Sequence, residues 1–156
     1  FSTPHDAAGS VGFRYTYKDH SIAIATDMGH FSDPVREALI GCEAILIEAN
    51  YDHDMLWNGP YPWPLKKRVD AQSGHLCNTD CAKAVCCLFL SGTKHFVLGH
   101  LSQENNSPIT AEKEIVSALN AISAVRGEQY FLSVANRYYP SDPVILFSEQ
   151  SSAGLI

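Results

Sequence analysis

Long apolar runs are missing from this sequence of 156 residues. No stretch approaches the roughly 20 apolar residues that a bilayer-spanning helix needs, and the first residues lack the basic-then-apolar layout of a secretory signal. The expectation is a soluble, cytoplasmic protein with no membrane partner. Positive charge is also scarce: 11 Lys and Arg stand against 17 Asp and Glu, a net charge of -6. That balance argues against a broad electrostatic footprint for nucleic acid but leaves room for a local basic patch. The run Lys66, Lys67, Arg68 is the one that stands out, and it reads first as a solvated helix face. No CxxC pair occurs among the five cysteines, Cys42, Cys77, Cys81, Cys86 and Cys87. Cys77 and Cys81 share a helix face at i, i+4, a placement that raises a zinc site, but small cysteines in an Ala/Val/Leu-rich helix read as buried free thiols in a reducing compartment. Internal repeats and low-complexity segments are absent.

What is present is material for one folded domain, 46% hydrophobic and 10% aromatic. Val11, Phe13, Tyr15 and Tyr17 alternate with polar residues as a strand with one apolar face. A short polar turn then leads into a second strand, SIAIATD. Ser32-Asp33-Pro34 opens a helix from Val35 to Ile40, and CEAILIEAN reads as a buried strand. Three prolines in GPYPWP confine residues 51–75 to two short helical pieces. Tyr51, Tyr61 and Trp63 in this stretch read first as a packed loop, with a base-stacking platform as the alternative. An apolar helix follows Asn78-Thr79 to about Leu90, then a buried strand KHFVLGH. A helix from Ser107-Pro108 to about Ala124 and strands at Tyr130–Ala135 and Val144–Phe147 complete the pattern, which is that of an α/β protein with helices against a sheet.

The chemistry lies at the strand ends. His5-Asp6 stands before the first strand, Asp27 ends the second, Glu48 the third and His100 the fourth. Such positions converge on one edge of a sheet, where imidazoles and a carboxylate make a ligand set for Zn, Mn or Fe. Singly, each has an ordinary structural reading, as a turn aspartate or a hydrogen-bonded histidine.

Five segments, TPHDAAGSVGF, IATDMGHFSD, LIEANYDHDML, SGHLCNTD and LGHLSQENN, occur in the order and approximate spacing found in the metallo-β-lactamase fold hydrolases. Together they resemble the WalJ/YycJ type of phosphodiesterase, from the first residue to about Phe147. The resemblance implies an αββα sandwich, with His5 ligating one metal, Asp27 bridging two, and His100 ligating the other. It also implies an earlier His-x-His-x-Asp-His motif, and no such motif occurs in this sequence. The expectation is therefore that residues 1–147 are the C-terminal part of one such domain, with 148–156 a polar tail.

The reaction implied is phosphodiester hydrolysis, in the family's terms 5′-to-3′ DNA exonuclease action. Two divalent ions, Zn or Mn, about 3.5 to 4 Å apart lower the pKa of a bridging water and make a metal-bound hydroxide available. A neighbouring acid must protonate the departing oxygen. Glu48 and His75 resemble the glutamate–histidine dyad of the tRNA-processing nucleases of this fold. A loop-capping Glu48 and a helix-entry His75 are the structural alternative. Asp6 is expected to support ligand geometry or metal binding. Ser102, Asn105 and Arg137 are candidate substrate contacts, Arg137 through its guanidinium fork.

Two other readings stand beside the DNA exonuclease. One is a metallo-hydrolase of a small ester, thioester, lactam or cyclic phosphodiester, because fold does not decide substrate. The other is an inactive half-domain that associates through its exposed sheet face with the missing N-terminal half or with itself as a homodimer.

Overall fold

The computed structural model describes residues 1–146. The alternating run after Val11 forms β1 (Phe13–Tyr17), which turns at Lys18-Asp19 and pairs antiparallel with β2 (His20–Ala25). β3 (Ala44–Glu48), β4 (His95–Gly99) and β5 (Phe131–Val134) then add in parallel, giving one mixed sheet in the order β1-β2-β3-β4-β5. The α/β class expected from the sequence is the class observed.

Parallel neighbours require crossovers, and helices supply them. α1 (Asp33–Leu39), with proline in its first turn, joins β2 to β3. α2 (His53–Asn58), α3 (Trp63–Val69) and α4 (Asn78–Leu90) lie between β3 and β4, and α5 (Pro108–Ala121) leads to β5. α5 ends earlier than its periodicity suggests. Ser123 adopts a left-handed φ of 62°, and the N–H groups of Ala124 and Ser123 close back on the carbonyls of Leu119 and Asn120. That pair of bonds terminates the helix in a Schellman-type cap.

Because strand side chains alternate, the sheet has two unlike faces. Ala23, Ile45, Ile47, Phe96, Leu98 and Leu132 point to the helices and are buried with Val35, Leu39, Val85, Leu88, Ile115 and Leu119. The register puts Phe13 and Tyr15 opposite Ile24 and Ile22, and Ile24 beside Leu46, on the other face. There Phe13 is 51% exposed, Tyr15 54%, and Ile22 and Ile24 40% each.

Two expectations need correction or confirmation. The last expected strand does not form over residues 144–146, and Phe147 lies outside the described residues, as does the expected tail at 148–156. Pro140 and Pro143 remove ladder donors just before it, and Ile145 is 71% exposed with no core to join. None of the five cysteines is in a disulfide; Cys42 and Cys81 are buried as expected, whereas Cys77, Cys86 and Cys87 are only half-buried. Cys81 is fully buried, and burial pushes its thiol well above the ordinary range. Among the described residues no helix is long and apolar enough to cross a membrane.

Candidate metal and acid–base site

The parallel register of β2, β3 and β4 brings their C-terminal ends to one edge, the usual place for ligands in open α/β sheets. Asp27 follows β2, Glu48 ends β3 and His100 follows β4. Both flanking residues leave their strands in the left-handed region, Asp27 at φ 57° and His100 at φ 55°. A non-glycine residue there costs on the order of 1 kcal/mol or more, and such strain gathers at functional sites. His5 reaches the same edge because its segment is pinned by a bond from Gly29 N–H to Pro4 O at 2.9 Å.

Glu48 is the hub. Its side chain is wholly buried, yet both oxygens are engaged. His75 Nδ1 lies 2.8 Å and His100 Nδ1 2.7 Å from Oε1, while the Met28 N–H donates to Oε2 at 2.9 Å and the Leu76 N–H at 3.4 Å. Burial alone would push this carboxyl upward. The hydrogen bonds from His100 and His75, with the backbone of Met28, outweigh it and hold Glu48 below the usual carboxylate range. Conversely, the bond to Glu48 raises His100 above its ordinary value against the effect of its own burial.

This wiring assigns the tautomers. An ionised carboxylate has no proton to give, so both imidazoles donate from Nδ1, and each neutral ring keeps its lone pair at Nε2. His5 follows the same rule: its Nδ1 lies 2.8 Å from the Gly74 carbonyl, which can only accept. Its Nε2 then stands 3.6 Å from Asp27 Oδ1 and 3.6 Å from Asp6 Oδ1. Thr26 Oγ1 donates to the other Asp27 oxygen at 3.1 Å, and His100 Nδ1 lies 3.9 Å from Asp27 Oδ1.

The Nε2 lone pair of His5 beside the half-exposed Asp27 carboxylate is a donor pair that a Zn- or Mn-type ion takes, and the acceptors that orient the rings of His5, His75 and His100 are already in place. The donor atoms of His5, Asp27 and His75 lie within 4.8 Å of one another, as do those of Glu48, His75 and His100. Glu48 already serves two imidazoles and two N–H groups, so it orients ligands. Neither group contains a cysteine.

The structure thus gathers His5, Asp27, Glu48, His75 and His100 at one edge. Asp6 sits beside them in a fork with Arg68, which lowers its carboxyl pKa. Ser102 and Arg137 line a groove of about 530 Å³ that begins at His100. Asn105 does not reach that groove: it is fully buried, and its N–H and amide donate to Ser102 Oγ at 3.2 and 3.4 Å. The bond from Arg137 to the Leu101 carbonyl ties one wall of the groove to the loop after β4.

Sequence reasoning paired Glu48 with His75 and missed its equal bond to His100. It also missed Gly74, whose carbonyl holds His5. A Cβ at Gly74 would stand 2.2 Å from the Val69 carbonyl, so only glycine permits this turn. The glycine in SGH was the available signal.

Comparison with known proteins finds two similar exodeoxyribonucleases. The chain is 34% identical over 130 residues to exodeoxyribonuclease YycJ of Bacillus anthracis, covering 83% of this chain and 49% of that protein. It is 38% identical over 119 residues to exodeoxyribonuclease WalJ of Streptococcus pneumoniae, covering 76% of this chain and 44% of that protein. These matches support a YycJ/WalJ-like metallo-β-lactamase family reading of the chain. It spans about half the length of the curated YycJ and WalJ relatives it matches. No family model matches the sequence.

Proposed function

We propose that residues 1–147 are the C-terminal part of a single metallo-β-lactamase-type domain and that the whole protein is a metal-dependent phosphodiesterase, a 5′-to-3′ DNA exonuclease of the cytoplasm. The observation that carries this reading is the buried Glu48 bonded to both His75 and His100 beside His5 and Asp27. The names of the YycJ and WalJ relatives support DNA as the substrate.

His5, Asp27 and His100 would hold two divalent ions, Zn or Mn, with Asp27 between them and the remaining ligands supplied by the rest of the domain. Bound there, such ions supply Lewis acidity and lower the pKa of water. This chain's residues do the rest. Glu48 fixes the ring planes of His75 and His100 and keeps their protons on Nδ1. His75, protonated at Nε2, delivers a proton to the departing sugar oxygen, which leaves poorly as an alkoxide. Ser102 and Arg137 receive phosphate along the groove from His100, and Asn105 supports Ser102 from beneath.

The test uses the full-length protein, metal content and cleavage of 5′-labelled duplex DNA. Asp27→Ala and His100→Ala are expected to lose metal and activity together. His75→Ala is expected to keep its metal while cleavage falls by about 10²- to 10⁴-fold. Unchanged metal and activity in Asp27→Ala would sink the assignment, and faster turnover of small esters or lactams than of DNA would favour the small-substrate hydrolase.

A second reading is favoured by the outer sheet face, where Phe13, Tyr15, Ile22 and Ile24 are 40% exposed or more. Contiguous apolar surface of this kind marks an interface. The rest of the domain is its proposed cover, and in its absence this chain is expected to self-associate. A monomer in a sizing experiment at micromolar concentration would contradict that.

A further inference from the structure

Among the described residues, α3 is the one helix with no buried residue. Its sequence, WPLKKRV, carries the basic run of an acidic chain, and Trp63 at its start is 60% exposed. Tyr51 does not share that surface, being buried with its hydroxyl on Asp70, so the expected packed loop holds for Tyr51 and fails for Trp63.

The exposed ring is held in place. Trp57 packs against it with centroids 4.9 Å apart and planes at 59°, and Lys66 Nζ donates to the Trp57 carbonyl at 2.8 Å. Lys67 Nζ stands 5.2 Å from the centre of the Trp63 ring. Arg68, one residue on, forks onto Asp6, the neighbour of His5. A cleft of about 140 Å³ between α3 and the site is lined by Leu65 and Arg68 on one side and by His5 and His75 on the other. The helix is therefore continuous with the proposed catalytic edge.

A fixed, exposed indole with an ammonium beside it matches a ligand whose repeat unit joins an aromatic ring to an anion. An apolar protein surface matches it poorly, because covering Lys67 without an anionic partner would strand its charge. We infer that α3 is a stacking platform for single-stranded DNA beside the site: a base stacks on Trp63, and Lys67 swings from the ring to the adjoining phosphate. This rests on the reading of DNA as substrate.

The experiment is fluorescence anisotropy of a labelled single-stranded oligodeoxynucleotide with the full-length protein, in EDTA so that cleavage plays no part. Trp63→Ala is expected to weaken binding roughly five- to hundredfold, as loss of one base stack does. Trp63→Phe, which keeps a ring, is expected to recover most of it. Lys67→Gln is expected to lower the slope of log K against log salt by about 0.7, the release from one phosphate contact. An abasic oligonucleotide is expected to bind wild type and Trp63→Ala alike.

The inference is overturned if wild type does not bind the strand, if Trp63→Ala binds as tightly as wild type, or if it loses normal and abasic strands equally, as when the patch is covered by protein. Cleavage of duplex DNA by the metal-loaded protein is read separately. Cleavage with binding that ignores Trp63 leaves the hydrolase and removes the platform, whereas Trp63-dependent binding without cleavage does the reverse.

Discussion

Glu48 and Asp27 occupy neighbouring strand ends of the same sheet edge, yet their surroundings are opposite. Glu48 is wholly buried and bonded by two imidazoles and two backbone N–H groups, whereas the Asp27 side chain is 38% exposed and turns one oxygen toward His5 at 3.6 Å. A carboxylate with every lone pair taken can orient its neighbours, and one left half-free in a strained backbone can take a ligand. The site has an inner layer whose hydrogen bonds are complete and an outer layer with acceptors to spare.

Substitutions should separate the layers. Glu48→Ala leaves His75 and His100 without their shared acceptor and opens a buried space, and is expected to destabilise the chain by about 3 to 5 kcal/mol. Thermal unfolding would register this as a drop of roughly 10 °C or more. Asp27→Ala is expected to leave the melting temperature within a few degrees of wild type while abolishing Zn uptake in calorimetry. Equal losses of stability in the two variants would erase the distinction.

Acid should attack the inner layer first. The folded pKa of Glu48 is depressed, so its contribution is present above the unfolded carboxylate value of about 4.3 and is lost as pH falls through the lower folded value. His100 has the opposite sign: its folded value is raised, so its contribution is full below the unfolded value of about 6.5 and fades as pH rises through the folded one. Denaturation of the metal-free chain followed from pH 8 to pH 3 is expected to show stability growing slightly toward mild acid, then falling steeply below about 4.3. In Glu48→Gln both trends should flatten. The smallest effect belongs to the outermost pair: Arg68→Gln breaks an exposed ion pair with Asp6 and is expected to leave the unfolding transition where it is in wild type. A shift would mean that Asp6 belongs to the inner layer.

Much of this was legible in the sequence because strand periodicity and strand ends are local signals. SIAIATD, CEAILIEAN and KHFVLGH announced strands, and their terminal Asp27, Glu48 and His100 converge because those strands are parallel neighbours. The bond from Glu48 to His100 was not legible, since it depends on register between residues 52 positions apart. The burial of Asn105 was equally hidden: an asparagine in SQENN reads as a polar loop residue, and only the fold turns it inward. Residues 144–146 failed as a strand because the two prolines just before them outweigh the apolar pattern. Trp63 shows the converse, an aromatic that reads as packing material and lies on the surface.

The central claim is that His5 and His100, anchored through Nδ1, are metal ligands together with Asp27, while His75, anchored beside His100 on Glu48, stays off the metal. Nitrogen-15 NMR of the histidine side chains during a Zn titration of the chain near pH 7.5 tests it most directly. The account predicts protonated Nδ1 on all three rings and lone-pair Nε2 on His5 and His100 before metal, and Zn-dependent shifts at the Nε2 atoms of His5 and His100 that vanish in Asp27→Ala. A lone pair at Nδ1 of His5 or His100, or Zn shifts that survive Asp27→Ala, would contradict it.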